Sequence, residues 1–340
     1  MTGAAPRPTM KDVAAEASVA VTTVSRVING DPRVAPETRA RVEAAVETLH
    51  YQPDLHAGLL RRRGRTNTLG LLVGNVANPF SAAVHRAVED VAHARRVAVF
   101  ASSLDDDPER EREAVAAFLR RRVDGLILTT IGHDHGYLER EIERGTPVVF
   151  VDRRPSGVVG DTVMSDNYRG AREAVAHLAA HGHRRIAFLG DDERIFTARE
   201  RLRGFVDECR HQGIEVDLRL VLGDLRGEAA AAAAVARLLA APAPPTALFT
   251  AQNVITVGAI GALRAAGAQH ATALVGFDDI PLAAHLSPPV TVMAQDPSRI
   301  GREAATIVFN RLDGRTADVT EVVVPTTLII RGSGEIPPGQ

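Results

Sequence analysis

Polar side chains collect at or just beyond the ends of short apolar runs. Asn78 and Phe80 follow TLGLLVGNV, Ser103 and Asp105 go with VAVFASS, and Asp152 and Arg153 with PVVFVD. Further along come Asp166, Arg199, Gln252 with Asn253, and Asp278. Taken singly, a strand-end aspartate caps the next helix. Taken together, these residues supply hydrogen-bond acceptors and donors around one cleft, with Phe80 as a stacking face. That chemistry grips a small polar ligand; it does not break bonds. The chain has no GxxxxGK[ST], no strand-linked GxGxxG and no G-x-S-x-G elbow. Its histidine clusters are HDH at His133 to His135 and HGH at His181 to His183. Neither has a cysteine or a well-spaced acidic partner, and AHGHRRIAFLG reads as a helix end running into a strand, so no metal site is expected. No catalytic residue and no cofactor is expected either.

A second constellation lies near the N-terminus, in TMKDVAAEASVAVTTVSRVING from Thr9 to Gly30. Thr9 can cap a first helix starting near Met10, and Asp12 favours its positive end. Val13, Ala14 and Ala17 make its buried stripe. After the turn SVA, a second helix covers about Val21 to Ile28 and stops at Asn29-Gly30. Val24, Val27 and Ile28 pack inward, which leaves Val21, Thr22, Ser25 and Arg26 outward or near the edge. Pro36 opens a third helix with Val42, Ala45, Val46 and Leu49 on one face. Three short helices around one tiny core make a helix-turn-helix unit, whose second helix lies in the DNA major groove. An exposed valine there suits a thymine methyl, and an arginine can grip a guanine edge.

The elements that position the first constellation alternate apolar runs with helical segments, which is the βαβ pattern of parallel sheets with right-handed crossovers. Ligands on such sheets sit at the carboxyl ends of the strands. The composition, 45% hydrophobic and 24% charged over 340 residues, is globular and too large for one small domain. Residues 1 to 65 hold ten basic and seven acidic side chains, an excess of three positive charges, against −2 for the whole chain. A basic head on an acidic body fits a polyanion partner for the head alone. Cys209 is the single cysteine, so no intrachain disulfide forms and a reducing, cytoplasmic setting is expected. The N-terminus lacks the apolar core of a signal peptide, and no run is long enough to span a membrane.

KDVAAEASVAVTTVSRVING with VAPETRARVEAAVETLHYQPD resembles the DNA-binding headpiece of the lactose repressor family of bacterial transcription factors, and the likeness extends through most of the chain. The resemblance implies that Val21, Thr22 and Arg26 read bases. Ser18 stands where the family usually has glycine, at a left-handed turn. Ala20 stands where a serine usually caps the recognition helix, a loss of roughly 1 kcal/mol. In PDLHAGLLRRRGRTNT a helix too short to persist alone would, by resemblance, fold on DNA and pair with its dimer mate. It would then drive Leu60 into the minor groove, with Ala57 and Arg61 beside it. Gly58 weakens that helix.

The body resembles the family's effector domain, a two-lobed periplasmic-binding-protein fold, through ANPF, SLDDDPERE, VDGLIL, VVFVDRR, SDNYRGA, TARERLRGF and ALVGFDDIPLA. By that match Arg199 is the effector-binding arginine, and Asp152 and Asp278 are cleft carboxylates. The family's usual AND is here AQN, an amide in place of a carboxylate at Asn253.

The expected architecture is an all-α helix-turn-helix headpiece (1–53), a hinge helix and linker (54–66) and an α/β two-lobed, type I periplasmic-binding-protein-like effector domain (67–334). Lobe one would take 67–164 and 296–324, lobe two 165–295 and 325–334, with crossings near Ser165, Gln295 and Pro325. The tail GSGEIPPGQ is expected to be disordered, and it shows no leucine heptad of the kind that would build a tetramer. The expected function is that of a homodimeric repressor of a carbohydrate-utilisation operon, with operator DNA and a small sugar-like effector as partners. A transport solute-binding protein would fit the body alone but not the headpiece. A regulator answering to a partner protein would not need the polar cleft set. An enzyme of sugar metabolism lacks a nucleophile-base or metal constellation.

Overall fold

The computed structural model describes residues 8–28, 30–52, 65–315 and 318–339. The chain falls into two compact units that divide between Thr66 and Asn67.

In the first unit, α1 spans Met10–Glu16, α2 Val21–Ile28 and α3 Pro36–Thr48. The Asp12 carboxylate accepts from the Thr9 amide and hydroxyl, each at 2.7 Å, and these bonds hold it below the ordinary carboxylate range. This fixes the start of α1. Val13, Val24 and Val42, one from each helix, are wholly buried against one another's neighbours Ala14, Ala17, Val27, Ala45 and Tyr51. Ser18 turns the chain between α1 and α2 at φ +50°, the left-handed region where glycine is the default.

The second unit holds two six-stranded sheets. The first is built from β1 (Thr68–Val73), β2 (Ala98–Ser103), β3 (Gly125–Thr129), β4 (Val148–Val151), β5 (Asp161–Ser165) and β11 (Glu321–Val324), in the order β11-β5-β4-β3-β1-β2, parallel throughout. The second has β6 (Ile186–Leu189), β7 (Val221–Leu222), β8 (Ala247–Thr250), β9 (Ala273–Phe277), β10 (Thr291–Ala294) and β12 (Thr327–Ile329), in the order β12-β10-β9-β8-β6-β7, with only β12 antiparallel. Central strands such as TLGLLV are buried at every position because helices cover both faces.

On the first sheet, the helices Pro79–Ala94 and Pro297–Leu312 bury Val84, Val88, Ile300, Ala304 and Val308 on one face. The helix Pro108–Arg120 brings Val115 and Phe118 to the other. The second sheet is covered by Asn167–Ala180 with Phe196–His211 on one side and Gly227–Leu239 with Asn253–Ala265 on the other. Gly204 lets two of these helices meet: a Cβ there would stand 2.4 Å from the Tyr168 carbonyl oxygen. The chain passes from the first sheet to the second's layers after Ser165, returns around Gln295, and crosses again at Pro325 and Thr326.

The tail corrects the sequence reading. Residues 332–339 are not loose. Ser333 Oγ donates to the Leu274 carbonyl at 2.6 Å, Glu335 accepts from Thr291 and pairs with His177, and the Ile336 carbonyl meets His183 Nε2 at 2.8 Å. Small and polar residues suggested solvent, but here each satisfies a group of the second sheet's layers.

Candidate binding cleft and nucleic-acid interface

A cleft of about 720 Å³ opens at the carboxyl ends of both sheets. The first sheet's loops contribute Asn75, Asp105, Asp106, His133 and Arg153; the second's contribute Asp191, Asp192, Arg226, Gln252 and Asn253. Of the residues expected from sequence, Asn78, Asp105, Arg153, Gln252 and Asn253 line this cleft. Asn78 and Asn253 also join its two walls. The Asn253 amide donates to Asn78 Oδ1 at 2.9 Å, and the Asn78 amide donates back at 3.4 Å.

Asp152 and Asp278 lie deeper. Each follows a strand with its backbone in the left-handed region, φ +67° and +72°. Arg201, 5% exposed, feels the charge of both. Arg201 donates from Nε to Asn167 Oδ1 and from a terminal nitrogen to the Ala251 carbonyl, both at 2.7 Å, and its guanidinium stacks 3.9 Å from the Phe277 ring centre. Burial lowers the Arg201 guanidinium's affinity for its proton, opposed by the charges of Asp278 and Asp152. Burial raises the Asp152 carboxyl, opposed by Arg153 and Arg201. Gln295 donates to Asp278. A buried cation is thus coupled to carboxylates of both lobes.

Sequence reasoning chose Arg199, two residues away. In Phe196–His211 the buried positions are Thr197, Ala198, Arg201, Gly204, Phe205 and Glu208. That spacing is one face of a helix, and it contains Arg201 and not Arg199. Arg199 is exposed and lines a smaller pocket of about 410 Å³ that shares Arg153 with the main cleft. Arg201, Gln295, Asp191 and Arg226 are the site residues the sequence reading missed. Three expected residues do other work. Phe80 packs against the first lobe's core, Ser103 accepts from the Val76 amide at 3.0 Å, and Asp166 caps its helix through the Arg169 amide at 3.0 Å.

The first histidine cluster divides its roles: His133 lines the cleft and His135 packs inside. His135 is buried, its Nδ1 accepting from the Ser156 amide and its Nε2 3.4 Å from Glu111. Among the described residues no three His, Cys, Asp or Glu are grouped to hold a metal ion.

On α2, Val21 is 42% exposed, and Thr22 and Arg26 are exposed beside it. Ser25 departs from expectation: it is turned inward with Val24, at 9% exposure. Val21, Thr22 and Arg26 share the exposed face of α2. Ala57, Leu60 and Arg61 lie outside the described residues.

Comparisons with known proteins agree with this geometry. Residues 9–54 match the bacterial regulatory proteins of the lacI family, and residues 175–334 match a periplasmic binding protein-like domain. The transcriptional regulator CelR of Thermobifida fusca is 34% identical over 96% of this chain and 98% of its own length. The repressor CytR of Escherichia coli is 30% identical, with 96% of each covered. Among solved structures, the CelR–cellobiose complex aligns with TM-score 0.71 and 32% identity over 96% of this chain and all of that one. The Lac repressor dimer bound to operator and an anti-inducer aligns with TM-score 0.85 and 25% identity over 97% and 99%. The chain belongs to the lacI family of bacterial regulatory proteins. It is a helix-turn-helix transcription regulator with a ligand-binding type of body, in a family of regulators and not of enzymes. No helix among the described residues is long and apolar enough to cross a membrane.

Proposed function

We propose that this regulator is a cytoplasmic, homodimeric repressor of carbohydrate-use genes, released from or held on its operator by a small polyhydroxylated effector in the interlobe cleft. The observation that carries this reading is Arg201, a buried cation of one lobe that feels the charge of Asp278 of its own lobe and of Asp152 of the other. A ligand that hydrogen-bonds this group touches both lobes at once. Its affinity therefore differs between lobe poses, and only such a difference can shift the equilibrium that DNA senses. The relatives support the chemistry: CelR is described in complex with cellobiose, and the Lac repressor as a dimer on its operator.

On DNA, phosphate contacts supply most of the affinity and α2 the choice of sequence. Val21, Thr22 and Arg26 read bases, with Ser25 supporting them. Ala57, Leu60 and Arg61 of the linker 54–66 enter the minor groove, where an apolar wedge bends the duplex. The decisive experiment is an operator-binding titration with a panel of mono- and disaccharides, run on the wild type and on Arg201→Lys. One sugar should change operator affinity in the wild type and fail to do so in the variant. A panel with no effect on either would set the sugar reading aside.

A further inference from the structure

The cleft changes chemical character along its length. Its main chamber mixes Asp105, Asp106, Asp191, Asp192 and Glu228 with Arg153, Arg194 and Arg226. The adjoining pocket of about 410 Å³ is lined by Arg153, Arg154, Arg194 and Arg199 with His133 and His135, and by no carboxylate. Arg154 pairs with Glu321, and Arg194 with Asp192 of the main chamber. Arg199 has only a ring to face: it makes no ion pair or hydrogen bond among the described residues. That ring is Phe196, and Arg154 comes to it from the other lobe. The two guanidinium carbons stand 5.8 Å and 5.9 Å from its centre.

Two like charges from opposite lobes thus converge on one small hydrophobic plate. Cation–π attraction offsets their repulsion only in part. Arg153, which also lines the pocket, is already paired with Asp106 at 3.0 Å, and its Nε lies 3.7 Å from Asp152 Oδ2. A helix end adds to the positive field. The helix Phe196–His211 begins at the pocket wall, and its N-cap Ile195 offers no side-chain acceptor, so the positive end of a sixteen-residue helix is left uncapped.

We propose that this arm of the cleft binds a phosphate group, either that of a phosphate monoester or free inorganic phosphate. Arginines hold phosphate through paired, charge-assisted hydrogen bonds, and an uncapped helix N-terminus is a complementary anion site. The assignment rests on reading the cleft as the effector site and adds to it a division of labour. The mixed main chamber takes hydroxyls, and the carboxylate-free arm takes the anion. An anion between Arg154 and Arg199 would also convert the repulsion between the lobes into a bridge.

The test is isothermal titration calorimetry of the full chain at constant ionic strength, with potassium chloride as the control. The titrants are inorganic phosphate, a panel of hexose and pentose phosphates, and the same sugars unphosphorylated. The proteins are the wild type, Arg154→Gln/Arg199→Gln, and Arg199→Lys; the substituted residues are exposed, and operator binding confirms that each variant is folded. Phosphate, or one sugar phosphate, should bind the wild type about tenfold more tightly than it binds the double variant, and Arg199→Lys should keep much of that binding. A sugar phosphate that outbinds both its sugar and free phosphate identifies the monoester as the ligand. Free phosphate that binds as well as any sugar phosphate identifies the ion itself. Phosphate and sugar phosphates that bind no better than chloride, or equally well to the double variant, overturn the proposal. If an unphosphorylated sugar alone alters operator binding, the effector reading stands and the anion arm falls. If phosphate binds through Arg199 while no ligand alters operator binding, the reverse holds.

Discussion

Asn78 and Asn253 hydrogen-bond each other across the cleft, each side chain both donor and acceptor. Asn78 Oδ1 also caps its own helix through the Phe80 amide at 3.0 Å, so one oxygen ties a helix start to the opposite lobe. An aspartate at position 253 could accept but not donate, and would leave half of this exchange.

Asn253→Asp should therefore loosen the lobe pose found here and change effector affinity by several-fold, in keeping with about 1 kcal/mol for one hydrogen bond. Small-angle scattering of the ligand-free protein, paired with effector titration, reads both effects. Identical scattering and affinity would mean that the amide pair bears no load.

Arg201→Met would leave the Asn167 side chain and the Ala251 carbonyl without their buried partner and remove a cation whose charge Asp152 and Asp278 act on. Stranding a buried polar group costs about 1–3 kcal/mol. Arg199→Ala, at an exposed position, should stay within about 0.5 kcal/mol. Urea unfolding of the two variants separates the positions, and equal stabilities would contradict the buried cluster.

Ser18→Gly should stabilise the headpiece by about 0.5–1 kcal/mol, because φ +50° strains serine and not glycine. Thermal melting of a headpiece signal is the readout. A lower melting temperature would show that the unfolded chain's added freedom outweighs the relief.

Arg26→Ala should cost about 1–3 kcal/mol on cognate operator and relax choice at one base pair per half-site. Selection from a randomised half-site library measures this. A uniform loss on all sequences would reassign Arg26 to a phosphate.

His183 is fully buried, its Nδ1 2.9 Å from the Thr246 hydroxyl and its Nε2 2.8 Å from the Ile336 carbonyl. Burial pulls its pKa below the ordinary 6.5. The unfolded chain then binds the extra proton, so this contribution to stability is full above pH 6.5 and declines as pH falls below it. His183→Gln should flatten the fall in melting temperature between pH 7 and 5. An unchanged slope would place the acid sensitivity elsewhere.

Much of this was legible in the sequence because local pattern and tertiary role coincide. The α2 boundaries and Val13 with Val24 in the headpiece core follow from near neighbours, and the left-handed turn at Ser18 from the family resemblance. Strands β1, β3, β4 and β9 are uniformly apolar and announce themselves. EVVV (β11) and TLI (β12) do not, because they are short and lie at sheet edges; DTVMS (β5) does not, because Asp161, Thr162 and Ser165 interrupt its apolar run although every position is buried. Ser25 was misjudged because residue chemistry suggested solvent, whereas helical phase buries it. Arg201 was passed over because the family match fell on Arg199, two positions earlier in the same helix. The tail was opaque, since its anchors at Leu274, Thr291 and His183 are distant in sequence.

The first sheet takes β11 from residues 321–324, and its core needs Ile300 and Val308 packed beside Leu69 and Ile127. On a ribosome adding about 5–20 residues per second, Leu69 emerges many seconds before those partners exist. The lobe that is made first therefore cannot finish first. It must wait as an open sheet edge while the whole of the helices between Asn167 and Ala265 is synthesised. The newborn regulator thus passes through an interval when its DNA-reading helices are complete and the lobe that follows them is not, and its need for chaperone protection should be greatest then.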